Sequence, residues 1–254
     1  MQRLRRLVAR SSARQAERAF VVEGETLLAE ALDAGVPLEA VFVDAGAGGE
    51  LPVVARAGAC GVRVHELAPG ILERVAGTVT PQPVLAIAPT LDVALDDVAG
   101  ASLVVVCVEV RDPGNAGSVL RSAEASGAGG VVFCRGSVDV FNPKTVRSSA
   151  GSLFHVPVVS GGDPVEVLQR MGDWGLRRYA AVVRGGRAYD DVDLTGPVAV
   201  VVGNEANGLP PDLEAYVDVA ATIPMAGRAE SLNVGVAAAL MCFETLRQRR
   251  RAAT

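Results

Sequence analysis

The sequence lacks several patterns that mark common functional classes. Its apolar runs are short, the longest being segments such as 103–108, whereas a membrane helix needs about 18 consecutive apolar residues. No C-x-x-C pair occurs among Cys60, Cys107, Cys134 and Cys242, so we expect reduced core thiols and neither a disulfide framework nor a zinc site. The two histidines form no H-x-x-H pattern, and G-x-S-x-G is missing. We therefore expect no metal and no serine hydrolase.

Nucleotide and export signatures are missing as well. The chain has no P-loop and no G-x-G-x-x-G motif after a strand, which argues against a standard dinucleotide site. The arginine-rich N-terminus precedes no apolar stretch with a cleavage site, so we expect a cytoplasmic protein. With 254 residues, 50% of them hydrophobic, the chain is long enough for one large domain or two small ones with a sizeable core.

Charge is distributed unevenly. The net charge of −5 and the pI of about 5.2 argue against indiscriminate binding to nucleic acid. Residues 1–20 nevertheless hold six arginines against one acid, the segment 247–251 holds four, and Lys144 is the only lysine. Two interpretations stay open: a compositional bias towards arginine, or two basic arms that hold phosphates.

Strand and helix signals alternate along the whole chain, which predicts an α/β protein. In the first part the predicted strands are 19–22, 40–43, 62–67 and 82–89, and the predicted helices are 23–34 and 53–59. The second part opens with a predicted buried strand, 103–110, whose continuous apolar run 103–108 is typical of a parallel sheet covered on both faces. Its other predicted strands are 130–134, 178–183, 198–202 and 219–223, with helices at 116–126, 164–171 and 231–247. We predict a smaller module over 1–92, a linker over 93–102 and a second domain over 103–254.

Three loops after predicted strands carry candidate functional residues. The first contains Asn115 and Gly117, followed by Arg121. It joins a strand to a helix, where Asn115 could cap the helix and an anion would suit the helix N-terminus. Because ligands of open α/β sheets bind at the carboxyl ends of strands, Arg121 could point into such a crevice. The alternative is an ordinary turn with a surface arginine.

The second loop, residues 203–211, combines two glycines, two asparagines and Glu205. It fits a backbone-lined pocket or a turn that only reverses the chain, and Glu205 is the residue that the turn explains least. The third loop runs from Ile223 to Asn233 and contains Ser231, which we expect to cap the last helix.

Taken in order, the motifs N-x-G-x-x-x-R, G-N-E-x-x-G-L and I-P-M…S-L-N resemble the SpoU (TrmH-like) family of SPOUT methyltransferases, which methylate ribose 2′-oxygens of RNA. The segment 142–154 looks similar too, and the resemblance covers roughly residues 101–247. The first part, with Phe20–Gly24 leading into a helix, looks like the small ribosomal-protein-type module that many members use to bind RNA.

The resemblance implies a mainly parallel C-terminal SPOUT domain with a deep trefoil knot, S-adenosylmethionine as cofactor, and a homodimer formed through that domain. It implies that the cofactor contacts are Ala181, Gly203, Asn204, Glu205, Gly208, Ile223, Met225 and Leu232. It implies that the catalytic residues are Asn115, Arg121, Glu205, Ser231 and Asn233. The predicted RNA contacts are Arg5, Arg6, Arg10, Lys144 and Arg147, with a solvated helix face as the alternative for the last two.

The chemistry assigns roles to these residues. A ribose hydroxyl is a very weak acid, so it needs positioning and stabilisation of its developing negative charge. Arginine side chains stay protonated. We therefore expect Arg121 to orient a phosphate or stabilise the alkoxide, while a role as base stays open. Asn115 would orient the arginine or the ribose, and Glu205 would hold Arg121 or a loop in place.

Other functions stay open from the sequence alone. One is a non-catalytic RNA-binding protein of the same fold; the presence of Arg121, Glu205, Ser231 and Asn233 argues against it. Another is a nucleotide-binding α/β enzyme with a small-molecule substrate, which the missing glycine fingerprint disfavours. Ribosomal RNA is the expected substrate and transfer RNA the alternative.

Overall fold

The computed structural model describes residues 1–46, 51–76 and 82–253 of the chain. These residues divide into two compact units. The first consists of residues 1–91 together with 141–154, and the second of residues 92–140 and 155–254. The second unit is thus interrupted by a segment that belongs to the first.

The first unit is a four-stranded sheet flanked by short helices. Its elements in chain order are α1 (Gln2–Ala9), α2 (Ser11–Glu17), β1 (Ala19–Glu23), α3 (Glu25–Asp33), β2 (Ala40–Asp44), α4 (Pro52–Ala59), β3 (Arg63–Leu67), α5 (Glu73–Ala76), β4 (Val84–Pro89) and, from the inserted segment, α7 (Pro143–Ser148). The strand order is β1-β4-β2-β3, with β4 antiparallel to both neighbours and β2 parallel to β3. Strands β1 and β4 are buried almost throughout, whereas edge strand β3 is half exposed.

The second unit is a seven-stranded parallel sheet with helices. Its elements are β5 (Leu103–Cys107), α6 (Pro113–Ala125), β6 (Gly130–Phe133), β7 (Val158–Ser160), α8 (Pro164–Asp173), β8 (Arg177–Val182), β9 (Arg187–Ala188), β10 (Val198–Val202), β11 (Val219–Thr222) and α9 (Val234–Ala252). The strand order is β7-β6-β5-β10-β8-β11-β9, and every strand pair is parallel. The mainly parallel α/β sheet predicted from the continuous valine runs is confirmed.

Three sequence predictions differ from the structure. Residues 1–18, interpreted as a basic arm, form α1 and α2, because Leu4 and Leu7 share one helix face and are buried in the core of the first unit. The expected linker 93–102 packs into the second unit, where Val98 is part of the core. It also pairs with β7, since the backbone N–H of Val93 donates to Val158.

The inserted segment 141–154 was expected in the second domain, but it packs with the first unit. The ring of Phe141 lies 4.9 Å from that of Phe20 on β1, and Arg147 forms an ion pair with Glu23, whose side chain is only 4% exposed. The contact between the two aromatic rings and the ion pair of the buried Glu23 carboxylate account for the packing of this segment with the first unit.

Three of the four cysteines are buried, as expected for core thiols, whereas Cys60 is exposed at the end of α4. Burial raises the pKa of Cys134 and that of Cys242 to about 12. Among the described residues, no helix combines the length and apolar character that a membrane crossing requires.

Candidate active site

The first and second loops meet at one carboxylate. Glu205 lies just after β10 and accepts hydrogen bonds from the backbone N–H groups of Arg111 at 3.3 Å and Asp112 at 3.1 Å. It also accepts one from the side-chain amide of Asn115 at 2.9 Å. Burial raises the pKa of Glu205, but the hydrogen bonds from Asn115 and from backbone amides outweigh it, so the pKa lies below its ordinary value. An ionised carboxylate therefore ties the two loops together at neutral pH.

Asn115 extends this network to the third loop. Its side-chain oxygen accepts a hydrogen bond from the amide of Asn233 at 2.7 Å. The Asn233 oxygen in turn accepts from the backbone N–H groups of Gly235 at 2.9 Å and Val236 at 3.4 Å. Glu205, Asn115 and Asn233 thus form a chain of side chains that joins the three motifs, and we call it the amide–carboxylate hub.

The helix caps differ from those predicted. Asn233, and not Ser231, is the N-cap of α9, because its backbone is still non-helical and its side chain bonds the first turn. Asp112, and not Asn115, caps α6: its carboxylate accepts the Asn115 backbone N–H at 3.0 Å. Pro113 at the first helical position was the sequence signal for this start.

Asn204 shapes the second loop. Its side-chain oxygen accepts the backbone N–H groups of Ala206 at 3.0 Å and Asn207 at 3.1 Å, and its amide donates to the Glu109 carbonyl at 2.9 Å. Glu109 has φ +52°, a left-handed conformation that costs a non-glycine residue about 1–2 kcal/mol. No sequence pattern pointed to Glu109, whose strained backbone is held by a hydrogen bond from the neighbouring loop.

Two glycines permit close backbone approach at this site. A Cβ on Gly203 would lie 2.3 Å from the backbone carbon of Gly208, so the second loop can fold back on itself only with glycine there. A Cβ on Gly235 would lie 2.8 Å from the Cβ of Ser118. Glycine at the start of α9 therefore lets that helix approach α6 closely.

A cavity of about 710 Å³ opens at the carboxyl ends of β8, β10 and β11, a volume within the usual range for small-molecule sites. All the residues predicted to contact the cofactor line it: Ala181, Gly203, Asn204, Glu205, Gly208, Ile223, Met225 and Leu232. Ser231 lines it too. The structure therefore brings the second and third loops around one cavity.

The charges lining the cavity are mostly negative. Four acidic residues, Glu205, Glu214, Asp218 and Glu230, and one basic residue, Arg184, line the cavity. Asp218 is neutralised by its ion pair with Arg178, which leaves three carboxylates against one guanidinium. The hydrogen bond from Arg178 lowers the pKa of Asp218 below its ordinary value. An acidic lining favours a cationic ligand over a polyphosphate. In the part of the chain that is described, no group of three or more His, Cys, Asp or Glu side chains is placed to hold a metal ion.

Apart from Ala181 and Ile223, sequence reasoning missed the lining residues on and next to β8 and β11. Glu214 and Asp218 precede β11, and Val183 and Arg184 follow β8. One signal was present: Gly185 and its neighbouring glycine follow β8 much as Gly203 follows β10.

Arg121 does not reach the cavity of its own chain. It lies on α6, six residues and thus about 9 Å along the helix axis beyond Asn115, and it does not line the cavity. Its side chain is exposed and contacts none of the described carboxylates. Glu205 consequently holds the first loop and not Arg121, which decides between the two alternatives for that carboxylate.

The predicted RNA contacts of the first unit fall into two groups. Arg5 and Arg10 are exposed, and their side chains have no hydrogen-bond or ion-pair partner among the described residues. Arg6 bonds Glu17 at 2.9 Å, and Arg147 bonds the buried Glu23. Lys144 is exposed in the first turn of α7.

The arginines near the C-terminus are largely structural. Arg247 forms an ion pair with Glu244. Arg249 donates to the carbonyls of Ser102 and Gly196, both at 2.7 Å. Arg249 therefore holds α9 against two neighbouring loops, whereas Arg247 pairs with a residue of α9 itself. At least these two arginines of the segment 247–251 are engaged within the fold.

Comparison with known proteins agrees with this geometry. Residues 102–243 match the family model of the SpoU rRNA Methylase family, and residues 1–86 match an MRM3-like substrate binding domain. Because the first match spans more than half of the chain, the chain belongs to the SpoU rRNA methylase family.

Individual relatives are similar over most of the chain. The 23S rRNA (guanosine(2553)-2′-O)-methyltransferase RlmP of Bacillus subtilis is 34% identical over 225 residues, 88% of this chain and 87% of the relative. A 23S rRNA (uridine(2479)-2′-O)-methyltransferase of Streptomyces viridochromogenes is 42% identical over 146 residues, 54% of this chain and 50% of the relative. The crystal structure of the SpoU methyltransferase AviRb from that organism in complex with AdoMet superposes with a TM-score of 0.86 at 32% identity, covering 98% of this chain and 97% of the other.

Proposed function

We propose that this chain is an S-adenosylmethionine-dependent methyltransferase that methylates a ribose 2′-hydroxyl of 23S ribosomal RNA. The observation that carries the proposal is the acidic cavity enclosed by the second and third family motifs and tied to the first by the amide–carboxylate hub. The names of two relatives add support, since both are described as 2′-O-methyltransferases of 23S rRNA. They act on different nucleotides, a guanosine and a uridine.

The residues around the cavity fit S-adenosylmethionine. When bound, this cofactor supplies an electrophilic methyl group on a sulfonium cation. Ile223, Met225 and Leu232 provide apolar surface for its adenosyl part, and the glycine-walled second loop leaves backbone groups accessible. The excess of carboxylates complements the positive sulfonium, whereas it would repel a nucleotide polyphosphate.

Arg121 is the residue that we assign to the reacting hydroxyl. In methylation the 2′-oxygen gains the methyl group that leaves the sulfonium, and the hydroxyl proton passes to solvent water. Negative charge develops on the 2′-oxygen as this proton leaves. A guanidinium that stays protonated stabilises such an alkoxide and can hold the adjacent phosphate by two parallel N–H donors. Arg121 is available for this role because none of the described side chains occupies its guanidinium.

The other predicted catalytic residues position the loops. Glu205, Asn115 and Asn233 satisfy one another's hydrogen bonds and so fix the first loop, the second loop and the start of α9 relative to one another. Ser231, which belongs to the third loop, lies on the cavity wall. Such an arrangement holds reacting groups in place before substrate binds.

We further propose a cytoplasmic homodimer formed through the second unit. On α9, Val236 and Phe243 are 47% and 46% exposed, and a spacing of seven residues puts both on one helix face. Exposed apolar faces of this kind are typical of protein interfaces. Helix α6 packs against α9, so a dimer that covers this face would bring Arg121 near the interface. The predicted trefoil knot stays a prediction.

For the first unit we propose RNA binding through its exposed cations. Arg5 and Arg10 are free to neutralise phosphates, and Lys144 is exposed for the same purpose. Arg6 and Arg147 already neutralise Glu17 and Glu23, so we assign them smaller contributions.

Methyl transfer to two RNA pools tests the proposed function. The enzyme is incubated with S-[methyl-³H]adenosylmethionine and either unmodified 23S rRNA or unmodified transfer RNA, both transcribed in vitro. We expect label only in 23S rRNA, within a dinucleotide that resists alkali because its 2′-oxygen is methylated. Label in transfer RNA alone would overturn the substrate, alkali-labile label would overturn the position, and absence of label in both would overturn the activity.

A further inference from the structure

Most arginine side chains of the second unit have an interaction partner within the protein, and a few have none. Of its thirteen arginines, ten have a carboxylate, aromatic, backbone or other partner: Arg111, Arg135, Arg170, Arg177, Arg178, Arg187, Arg247, Arg249, Arg250 and Arg251. The other three, Arg121, Arg184 and Arg228, have none among the described residues. Arg121 has been assigned to the reacting hydroxyl, which leaves two unexplained cations.

Both of these cations line one recess. It has a volume of about 390 Å³ and lies between the end of β8 and the loop that follows β11. The recess shares part of its lining with the cofactor cavity, so the two are contiguous: the shared residues are Val183, Arg184, Ile223, Met225 and Glu230. Thr222 and the loop residues 227–229 complete the recess.

The sign of the charge reverses between the two spaces. The cavity is lined by four acids and one arginine, whereas the recess is lined by Arg184, Arg228 and a single acid, Glu230. Glu230 forms no ion pair with either arginine within the described chain. Two exposed, unneutralised guanidinium groups next to an acidic cavity favour an anion beside a cationic ligand.

We propose that Arg184 and Arg228 bind backbone phosphates of the RNA beside the nucleotide that is methylated. The inference rests on the proposed function, because the anion is the substrate itself. A phosphodiester meets the requirements of the recess: it is anionic, it accepts two N–H donors from a guanidinium, and it flanks every ribose. In this arrangement the acidic cavity holds the cofactor while the basic recess aligns the RNA strand at its rim.

Salt dependence of RNA binding tests the proposal. Binding of unmodified 23S rRNA, transcribed in vitro, is measured by filter retention between about 50 and 300 mM KCl for the full chain and for Arg184→Gln/Arg228→Gln. Each lost phosphate contact lowers the magnitude of the slope of log K against log salt by about 0.7–0.9. For the double variant we expect the magnitude of this slope to be smaller by about 1.5, and the affinity for RNA near 150 mM salt to be about tenfold lower.

A charge-matched control separates local contact from net charge. Arg170→Gln/Arg177→Gln removes two charges from the end of α8 and the beginning of β8, at the opposite end of that strand from Arg184. We expect this control to retain the wild-type slope. An equal loss of slope in both double variants, or an unchanged slope in Arg184→Gln/Arg228→Gln, would overturn the proposal.

Cofactor binding provides the second readout. S-adenosylmethionine titrated calorimetrically into the single variant Arg228→Gln, whose residue lines the recess but not the cofactor cavity, should bind within about twofold of wild type. A tenfold loss with an unchanged RNA slope would assign the arginines to the carboxylate of the cofactor instead. Methyl transfer by the wild-type enzyme tests the proposed function separately. If the wild type transfers methyl groups but the double variant keeps the wild-type salt slope, only the proposal for the recess is wrong. If the wild type binds RNA without methyl transfer, only the enzymatic assignment is wrong.

Discussion

Polar side chains serve different purposes in the two units. In the second unit, Glu205, Asn115 and Asn233 bond one another and so draw three distant loops together. In the first unit, the arginines of residues 1–18 differ in what they contact: Arg3 and Arg6 share the carboxylate of Glu17. Arg14 is 3% exposed and donates to the Leu7 carbonyl at the end of α1, whereas Arg5 and Arg10 point to solvent without a partner.

This difference shows which kinds of sequence signal identify a site. A motif of fixed residue types and spacing predicted residues that meet in space, because each must satisfy the hydrogen bonds of the others. A run of like charges predicted a binding surface. It did not distinguish arginines whose side chains bond within the protein from arginines whose side chains stay free. Five predictions follow from the contrast, ordered by the size of the expected effect.

Arg121→Ala should lower kcat/KM for methyl transfer on the order of 10³-fold while the Kd for S-adenosylmethionine stays within about threefold, because the side chain stabilises charge without lining the cavity. Steady-state kinetics and calorimetric titration measure the two quantities. Arg170→Ala, which removes an arginine on α8, serves as the control. Parallel losses of activity and cofactor affinity would contradict the assigned role.

Gly203→Ala should weaken S-adenosylmethionine binding by about 100-fold, because its Cβ would overlap the backbone of Gly208 and force the second loop open. Calorimetric titration measures the affinity, and circular dichroism checks that the variant is folded. Gly100→Ala, whose added Cβ meets no atom within 4 Å, should bind as wild type. A folded Gly203→Ala protein with normal affinity would show that the close approach is not needed.

Val236→Glu/Phe243→Glu should convert the proposed dimer to a monomer and reduce methyl transfer at least tenfold, because two buried carboxylates in an apolar interface would have no partner. Light scattering coupled to size-exclusion chromatography reports the mass. Ala55→Glu, at an exposed position of α4, is the matched control. A dimer that survives both glutamates would place the interface elsewhere.

Arg5→Gln/Arg10→Gln should weaken binding of 23S rRNA about tenfold near 150 mM salt and flatten its salt dependence, since two free cations are lost. Arg14→Gln should leave the salt slope unchanged but lower the free energy of unfolding by about 2 kcal/mol, because buried carbonyls lose their donor. Filter retention and urea denaturation measure the two effects. Deleting residues 1–18 would change RNA binding and stability together, since Leu4 and Leu7 belong to the core. An equal change of slope in both variants would remove the distinction between free and structural arginines.

Asn233→Ala should cost about 1–2 kcal/mol of stability, because α9 loses its N-cap, and should also weaken cofactor binding a few-fold through the broken hub. Asp163→Ala removes the N-cap of α8 and should cost about 1 kcal/mol without affecting cofactor binding. Urea denaturation and calorimetric titration give the two values for each variant. Identical profiles for both would mean that Asn233 is only a cap.

Much of the second unit could be predicted from local sequence. Strand 198–202 was predicted with its observed bounds, and the run beginning at Leu103 was predicted as a buried strand that proved shorter, because continuous valine runs suit a sheet covered on both faces. Membership of the SpoU family, predicted from three ordered motifs, is confirmed.

Other features depended on contacts that no local pattern encodes. The residues that cap α6 and α9 were misassigned by two or three positions, because Asp112, Asn115, Ser231 and Asn233 are all acceptable caps and the hub decides which backbone is helical. Short strand β7 and the placement of segment 141–154 with the first unit were not predicted, since both require partners far away in sequence.

Local sequence was enough to predict the α/β class, the parallel sheet and the residues of the motif loops, because periodicity and residue type act within a few positions. Three features became visible only in the folded chain. Glu205 holds the first loop and not Arg121, Arg6 and Arg147 are neutralised while Arg5 and Arg10 are not, and an acidic cavity adjoins a basic recess. These outcomes depend on which charges and hydrogen-bonding groups come within a few ångströms of one another. The folded chain sets those distances, and sequence spacing does not.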